Sequence, residues 1–266
     1  MTVKTKSVIL PPADRLVERS EVAMTWKWLW KDTLGRVLPF AAAAAIYARL
    51  TGQGAAGIGL PRSTMRQLAR DTALGVAVGV PLTGLSIAFR GWVAPRYRLP
   101  TPADQALQTA FYLAVNAPAE ELFWRGFLQT VAIRSLGRLR RWLWRKTPGG
   151  QARSGAPVPS ANLPVQEDAE DDEETRPGRL AEEAVDVALG WALTTAVFGA
   201  YHRLGGWSWR SIAGVTAAGG VFGAVYLAQR QRRSLLPSII IHGLATAGFL
   251  SWGDAALHVM GRLRQR

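Results

Sequence analysis

The ten residues Asn116-Ala-Pro-Ala-Glu-Glu-Leu-Phe-Trp-Arg125 decide how the rest of this chain is interpreted. They lie inside a mainly apolar stretch, about 106–136, that is long enough to cross a membrane. An ionised side chain at the centre of a bilayer costs at least ~2.5 kcal/mol on insertion scales, so acids at this depth usually mark function. Pro118 precedes the acidic pair and can start or kink a helix. The stretch therefore predicts a membrane helix with a break at 116–118.

The two acids of this stretch point in different directions on a helix. Glu121 and Arg125 are four residues apart and share one face, whereas Glu120 points about 100° away from Glu121. The simplest division is that Arg125 neutralises Glu121 in a structural ion pair, while Glu120 is free for chemistry. A buried Glu-Arg clamp that only ties helices together is the alternative, and this stretch alone favours neither.

The composition is typical of a membrane helix bundle. Of 266 residues, 48% are apolar, and the chain contains 27 glycines and 11 tryptophans. Small residues allow close helix packing, and tryptophan favours the water–lipid boundary. There is no cysteine, which excludes disulfides, thiol catalysis and cysteine-based metal sites. We see no signal-peptide pattern at the N-terminus.

The basic residues flank the apolar segments instead of forming one stripe. The formal net charge is +13, and one such group, Arg138, Arg140, Arg141, Arg145 and Lys146, follows the segment that carries the acidic pair. This arrangement favours anionic lipid head groups as the partner and disfavours nucleic acid.

Six apolar segments have the length of membrane spans, for which about 17 residues is the lower limit. We predict them at about 34–50, 72–89, 106–136, 184–202, 212–228 and 235–259. Just before the first, residues 24–31 carry Trp26, Trp28 and Trp30 together with Lys27 and Lys31, a pattern that is typical of an interfacial helix. The expected fold is all-α: a polytopic transmembrane bundle of about six spans with an interfacial N-terminal helix.

The chain divides into four regions by composition. We expect a polar arm and interfacial helix at 1–33, the first part of the bundle at 34–146, a disordered acidic loop at 147–178 and the second part of the bundle at 179–266. The loop is rich in Pro, Gly and Ser and then carries seven acids in the run 167–174. Such a composition buries too little apolar area to offset the entropy of ordering.

Two histidines lie within the predicted spans. His202 ends the fourth span in Phe198-Gly-Ala-Tyr-His202, and His242 lies inside the sixth in His242-Gly-Leu-Ala-Thr246. Each of these histidines, like Glu120, would be costly facing lipid. We therefore expect Glu120, His202 and His242 to meet in one buried polar pocket, with the third histidine, His258, at the interface.

Taken in order, these motifs resemble those of a known family. Glu120-Glu121-xxx-Arg125, Phe198-xxx-His202 and His242-xxx-Thr246 are similar to the three motifs of the CPBP family, the CAAX protease and bacteriocin-processing (Abi) intramembrane endopeptidases. The resemblance covers about 106–249. Two features depart from the family pattern: Thr246 stands where Asn or Asp is usual, and the acidic insertion is untypical.

The resemblance implies a role for each motif residue. Glu120 would be the general base, His202 its partner in activating water, and His242 the oxyanion donor, with Thr246 at the place of the usual Asn. A carboxylate in a low-dielectric site has a raised proton affinity, which suits a base, and a tetrahedral intermediate needs donors aimed at its oxygen. Threonine offers a single O–H, with a shorter reach than an Asn amide.

The resemblance also implies the kind of substrate and the setting. Members of the family act on membrane protein or peptide substrates, at prenylated C-termini, leader peptides or sorting tails, and no cofactor is implied. The chain is expected to be a multi-pass integral membrane protein, and its Ala-, Gly- and Arg-rich composition indicates a bacterial inner membrane.

Two other functions remain open at this point. Glu120, His202 and His242 also form a possible zinc ligand set with an open fourth position, which would make the protein a metalloprotease. A non-catalytic immunity or scaffold protein of the same fold is the third reading, which Thr246 favours. A transporter is disfavoured, because the chain lacks two similar halves with paired broken helices.

Overall fold

The computed structural model describes residues 26–93, 101–146, 177–229 and 234–264. Most of the predicted polar arm and residues 147–176 of the predicted acidic loop lie outside these ranges. Every regular element within them is helical, which confirms the all-α prediction.

The first helix is continuous across the predicted boundary at 33–34. It comprises α1, Trp26–Asp32, a π-helical segment, Thr33–Val37, and α2, Leu38–Leu50. The residues at the junctions keep helical dihedrals. On α1, Leu29 is buried and Trp30 is 60% exposed, so the helix has one inward and one outward face. A short 3₁₀ turn, Ala55–Ile58, follows.

The second and third helices lead to the acidic motif. Helix α3 spans Met65–Val93. Helix α4, Pro102–Phe111, starts at Thr101, whose side chain accepts a hydrogen bond from the Asp104 N–H as an N-cap. The chain then stays helical to Lys146 through Tyr112–Asn116 (π), α5, Ala117–Glu121, Leu122–Gln129 (π), and α6, Thr130–Lys146.

The break predicted at 116–118 is wrong, because a π turn takes its place. The Ala117 N–H bonds to the Tyr112 carbonyl, five residues back. This wider turn lies immediately before Pro118, which has no N–H to give, so the helix passes the proline without interruption. The acidic pair consequently occupies one α-helical turn between two π-helical segments.

The remaining helices complete the bundle. They are α7, Pro177–Leu204, α8, Trp209–Ala228, α9, Leu236–Ala247, a π segment, Gly248–Trp252, and α10, Gly253–Arg264. Among the described helices, four are long and apolar enough to cross a membrane, namely Met65–Val93, Glu182–Leu204, Trp209–Ala228 and Leu236–Met260. These match four of the predicted spans and support a multi-pass integral membrane protein.

The predicted spans 34–50 and 106–136 are not among these four. The second of them carries a buried row of polar side chains along its length: Gln108, Asn116, Glu120, Glu121, Arg125 and Gln129. These side chains face other helices and lower the mean hydropathy of the segment. The helix that carries the acidic pair therefore lies in the interior of the bundle.

Small residues let the helices around this interior approach closely. A Cβ added to Gly75 would lie 2.8 Å from the Ile240 side chain, and one added to Gly79 would lie 2.7 Å from Leu244. On α8, the ring of Phe198 fills the space where a Gly219 side chain would be. These contacts bring α3 onto α9 and α7 onto α8.

Candidate active site

One cavity of about 620 Å³ collects the four residues that the sequence singled out for chemistry. Glu120 reaches it from α5, His202 from α7, and His242 and Thr246 from α9. Another part of its wall is largely apolar, with Phe89, Val215, Ala218 and Phe249 among the lining residues. The cavity thus joins a polar group of side chains to an apolar surface.

Glu120 is 4% exposed and paired with a cation from the first helix. Arg36 donates from Nη1 to Glu120 Oε1. The other oxygen, Oε2, lies 3.6 Å from His242 Nε2, which is longer than a hydrogen bond. One oxygen of the carboxylate is therefore bound in an ion pair, and the other is free for a further partner.

Arg36 is the site residue that sequence reasoning missed. Its Nε and Nη2 donate to the two Asp32 oxygens at 2.8 and 2.6 Å, and Nη2 also donates to Asn116 Oδ1. An arginine at the start of a predicted span ordinarily extends to the lipid head groups and draws no attention. The available signal was Asp32, four residues earlier, which predicts a helical ion pair beside the bundle.

Glu121 has two partners within the bundle. Arg125 Nη1 lies 3.3 Å from Glu121 Oε1, the contact expected from their spacing. The same oxygen lies 2.7 Å from His242 Nδ1. Although the two acids point in different directions, both lie near the same imidazole, because His242 meets Glu121 with Nδ1 and faces Glu120 with Nε2.

The partners of His242 determine where its protons lie. A carboxylate that is paired with arginine accepts hydrogen bonds, so His242 Nδ1 carries the hydrogen and donates it to Glu121. The ring stacks on Phe222 with centroids 4.7 Å apart. Orientation and tautomer are thereby fixed, and Nε2 faces Glu120 in the cavity.

His202 is fixed in a similar way by its own helix. Its Nδ1 lies 2.8 Å from the Phe198 carbonyl, which can only accept, so Nδ1–H is the donor and Nε2 keeps the lone pair. Within the described residues, no hydrogen bond joins His202 to Glu120 or to His242. The three side chains share the cavity without being bonded into one row.

Arg125 ties the acidic helix to its neighbours. Its Nη2 donates to the Gly219 carbonyl at 2.7 Å, and its guanidinium lies 4.7 Å from the centroid of Phe198 and 5.5 Å from that of Phe222. A buried arginine that bonds a neighbouring backbone and stacks on two rings is a structural anchor. It holds Glu121, and through Glu121 it holds His242.

The alternative zinc site does not assemble in the described part of the chain. Glu120, His202 and His242 do not form a group close enough to hold a metal ion there, and neither does any other set of three such side chains in the described ranges. The Arg36 guanidinium on Glu120 also opposes a second cation at that carboxylate.

A comparison with protein families places these residues in a known framework. The family model described as type II CAAX prenyl endopeptidase Rce1-like matches residues 102–248, a range that contains Glu120, Glu121, Arg125, His202, His242 and Thr246. No curated protein and no solved structure gives a significant match. The matched range is more than half of the chain and agrees with the resemblance to the CPBP proteases. The chain therefore belongs to the Rce1-like family of type II CAAX prenyl endopeptidases.

Proposed function

We propose that this protein is an intramembrane endopeptidase that hydrolyses peptide bonds with a water activated by Glu120 and His202. The observation that carries this proposal is the convergence of Glu120, His202 and His242 on one cavity. Each of the three has an atom that is free of protein hydrogen bonds in the described structure: Glu120 Oε2, His202 Nε2 and His242 Nε2.

The first step uses Glu120 and His202 on one water. Glu120 Oε2 accepts a proton while the water oxygen forms a bond to the substrate carbonyl carbon, and the π electrons of that carbonyl move onto its oxygen. His202 Nε2 accepts a hydrogen bond from the other hydrogen and so orients the water. The electron pair on the negative oxygen then re-forms the carbonyl, the C–N bond breaks, and the proton on Glu120 passes to the leaving amine. General base catalysis of this kind contributes about 10²–10⁴ in rate.

The negative oxygen that forms during this attack needs a hydrogen-bond donor, and His242 can supply it from Nε2 when protonated. The ion-paired cluster contains Arg36 and Arg125 as cations, with Asp32, Glu120 and Glu121 as anions. It therefore carries one negative charge in excess, which a protonated His242 balances. Balanced charge lowers the cost of burying such a cluster.

The apolar wall of the cavity suits a substrate that arrives from the bilayer. Phe89, Val215, Ala218 and Phe249 offer contacts to apolar side chains beside the polar group. We therefore propose membrane-associated peptides, as C-terminal or leader segments in protein maturation or sorting, as the substrate class.

The basic helix α6 supports a contact with anionic lipid head groups. Arg138 and Arg141 are exposed on it, next to exposed Trp142 and Leu143. This combination favours the surface of an anionic membrane, which we propose to be a bacterial inner membrane.

A comparison of membrane-protein termini tests the proposed function. Cells would express the wild-type protein, Glu120→Gln or Glu182→Gln. Glu182 pairs with Arg140 outside the cavity, so it is a matched loss of a carboxylate. We expect N- or C-termini that are present with the wild type and with Glu182→Gln and are lost with Glu120→Gln, with all three proteins expressed equally. Termini that stay unchanged in the Glu120→Gln cells would support a non-catalytic scaffold instead.

A further inference from the structure

The third motif of the family usually ends in Asn or Asp, and this chain has Thr246 at that position, without an amide donor. A hydroxyl has one hydrogen to donate and a shorter reach. If the chain hydrolyses peptides as proposed above, a second donor for the negative oxygen must come from elsewhere in the cavity. The described residues offer one strong candidate on the first helix.

Arg36 has a donor to spare at the right place. A guanidinium has five N–H groups. Two donate to Asp32, one to Asn116 and one to Glu120, which leaves one N–H, on Nη1, the same nitrogen that contacts Glu120 Oε1. Arg36 lines the same cavity as Thr246. A charged donor thus lies beside the catalytic carboxylate with one hydrogen uncommitted.

The surrounding contacts hold this guanidinium still. Asp32 accepts hydrogen bonds from Nε and Nη2. Asn116, on the helix that carries Glu120, accepts a further hydrogen bond from Nη2. Val37, the next residue, packs with Tyr112 in a buried cluster that also contacts Leu250, one turn beyond Thr246. The first helix is therefore packed against both the acidic helix and the π segment Gly248–Trp252 that follows α9. Preorganised donors of this kind are the ones that stabilise developing charge without a reorganisation cost.

We propose that Arg36 is a catalytic residue that donates a hydrogen bond from Nη1 to the negative oxygen of the tetrahedral intermediate. It thereby supplies the donor that Asn would supply at position 246. His242 Nε2 and Arg36 Nη1 flank Glu120 at its two oxygens, Oε2 and Oε1. A carbonyl whose carbon is attacked by water on Glu120 then has a donor on either side. This proposal rests on the proposed peptidase function.

The test measures hydrolysis of a fluorescent peptide that spans a cleavage site found in the comparison of termini. The variants are Arg36→Gln, Thr246→Asn and the double variant, each in detergent. Arg134→Gln is the matched control, because Arg134 donates to the Tyr47 hydroxyl and does not line the cavity. Thermal melting of every variant reports whether it folds.

We expect Arg36→Gln to lower kcat by about 10²–10³, the usual effect of losing one oxyanion donor. The double variant should have a kcat at least about tenfold above that of Arg36→Gln, because an Asn amide at position 246 supplies the missing donor. A purely structural Arg36, or one that only keeps Glu120 charged, would not be rescued from position 246. Arg134→Gln should retain the wild-type rate.

Two results would overturn the proposal. A rise in rate with Arg36→Gln would show that the arginine blocks Glu120. A loss that Thr246→Asn does not restore, in a variant with wild-type melting, would show a role other than oxyanion donation. If Arg36→Gln does not fold, Arg36→Lys replaces it, because lysine keeps a charged donor. Its kcat is then measured with and without Thr246→Asn, and a loss that Thr246→Asn does not restore again contradicts the proposal. A wild type without Glu120-dependent cleavage would remove the proposed function itself, which is a separate and earlier outcome.

Discussion

His242 Nδ1 lies 2.7 Å from Glu121 Oε1, so the acid that seemed to serve only structure directly positions a histidine of the cavity. Glu121 is fully buried and shares the same oxygen with Arg125 at 3.3 Å. The chain Arg125–Glu121–His242 links the anchor of three helices to an imidazole that faces Glu120. Stability and activity therefore depend on the same carboxylate in separable ways.

Replacing Arg125 should separate them. Arg125→Ala leaves Glu121 as a buried acid without its cation, and breaking such a pair costs about 3–5 kcal/mol. The double variant Glu121→Gln/Arg125→Met should recover part of the lost stability. Its activity should stay low, because a neutral amide accepts a weaker hydrogen bond from His242 Nδ1 than the carboxylate does and positions the imidazole less firmly. Thermal melting in detergent and peptide hydrolysis check the two halves. Full recovery of the rate in the double variant would show that Glu121 acts on stability alone.

His202 offers a similar separation on a single residue. His202→Asn keeps an N–H near the position of Nδ1, which can still donate to the Phe198 carbonyl, but removes Nε2. We expect wild-type melting and a loss of about 10²-fold in kcat, in the range for an acid–base group. His202→Ala should lower both the melting temperature and kcat. Equal activity of His202→Asn and the wild type would assign His202 to packing.

Metal removal should leave the protein active. In the described structure Glu120 is paired with Arg36, and the predicted zinc ligands do not gather into a binding group. Treatment with a strong chelator, followed by elemental analysis, should give protein without zinc and an unchanged rate of hydrolysis. Loss of activity that returns on addition of Zn²⁺, and not of Mg²⁺, would establish the metalloprotease reading.

The segment 147–176 should be dispensable for folding. The helices on either side of it meet directly, because Arg140 on α6 binds Asp186 on α7 at 3.0 Å. A short Gly/Ser linker in its place should therefore preserve expression and melting temperature, as its composition also predicts. Arg140→Ala in the shortened protein is the informative control, since the contact between these helices would then lose its main polar bond. A large fall in the melting temperature of the shortened protein without the Arg140→Ala change would show that the segment packs on the bundle.

Part of the site followed from the sequence because intramembrane polar residues are costly. Glu120, His202 and His242 lie on separate segments, and the same cost that keeps each away from lipid drives them into one interior. Gly75 and Gly79 likewise pack against α9. Helical spacing also gave the contact between Glu121 and Arg125, because it depends on a single helix.

Contacts between different helices could not be obtained in this way. Helical spacing predicts the helix face on which Glu121 lies. It does not predict which nitrogen of His242, on α9, the Glu121 carboxylate contacts. In the sequence, Arg36 resembles an ordinary arginine at the start of a span that extends to the lipid head groups. Its role depends on how the first helix packs against Asn116 and Glu120. The π turns were also missed, because a pattern analysed with a 3.6-residue period has no place for an extra residue.

The π turn at Tyr112–Asn116 makes the length of this segment as important as its chemistry. An i→i+5 turn holds one residue more than an α turn, so a deletion anywhere in these five residues allows ordinary α-helix to form. The wider turn absorbs the extra residue, so after such a deletion the Glu120 carboxylate would keep nearly the same direction relative to Gln108 and Phe111. Closing the π turn to α-helix without removing a residue would instead rotate Glu120 by about 100°, and its carboxylate would leave the cavity with every catalytic side chain still encoded.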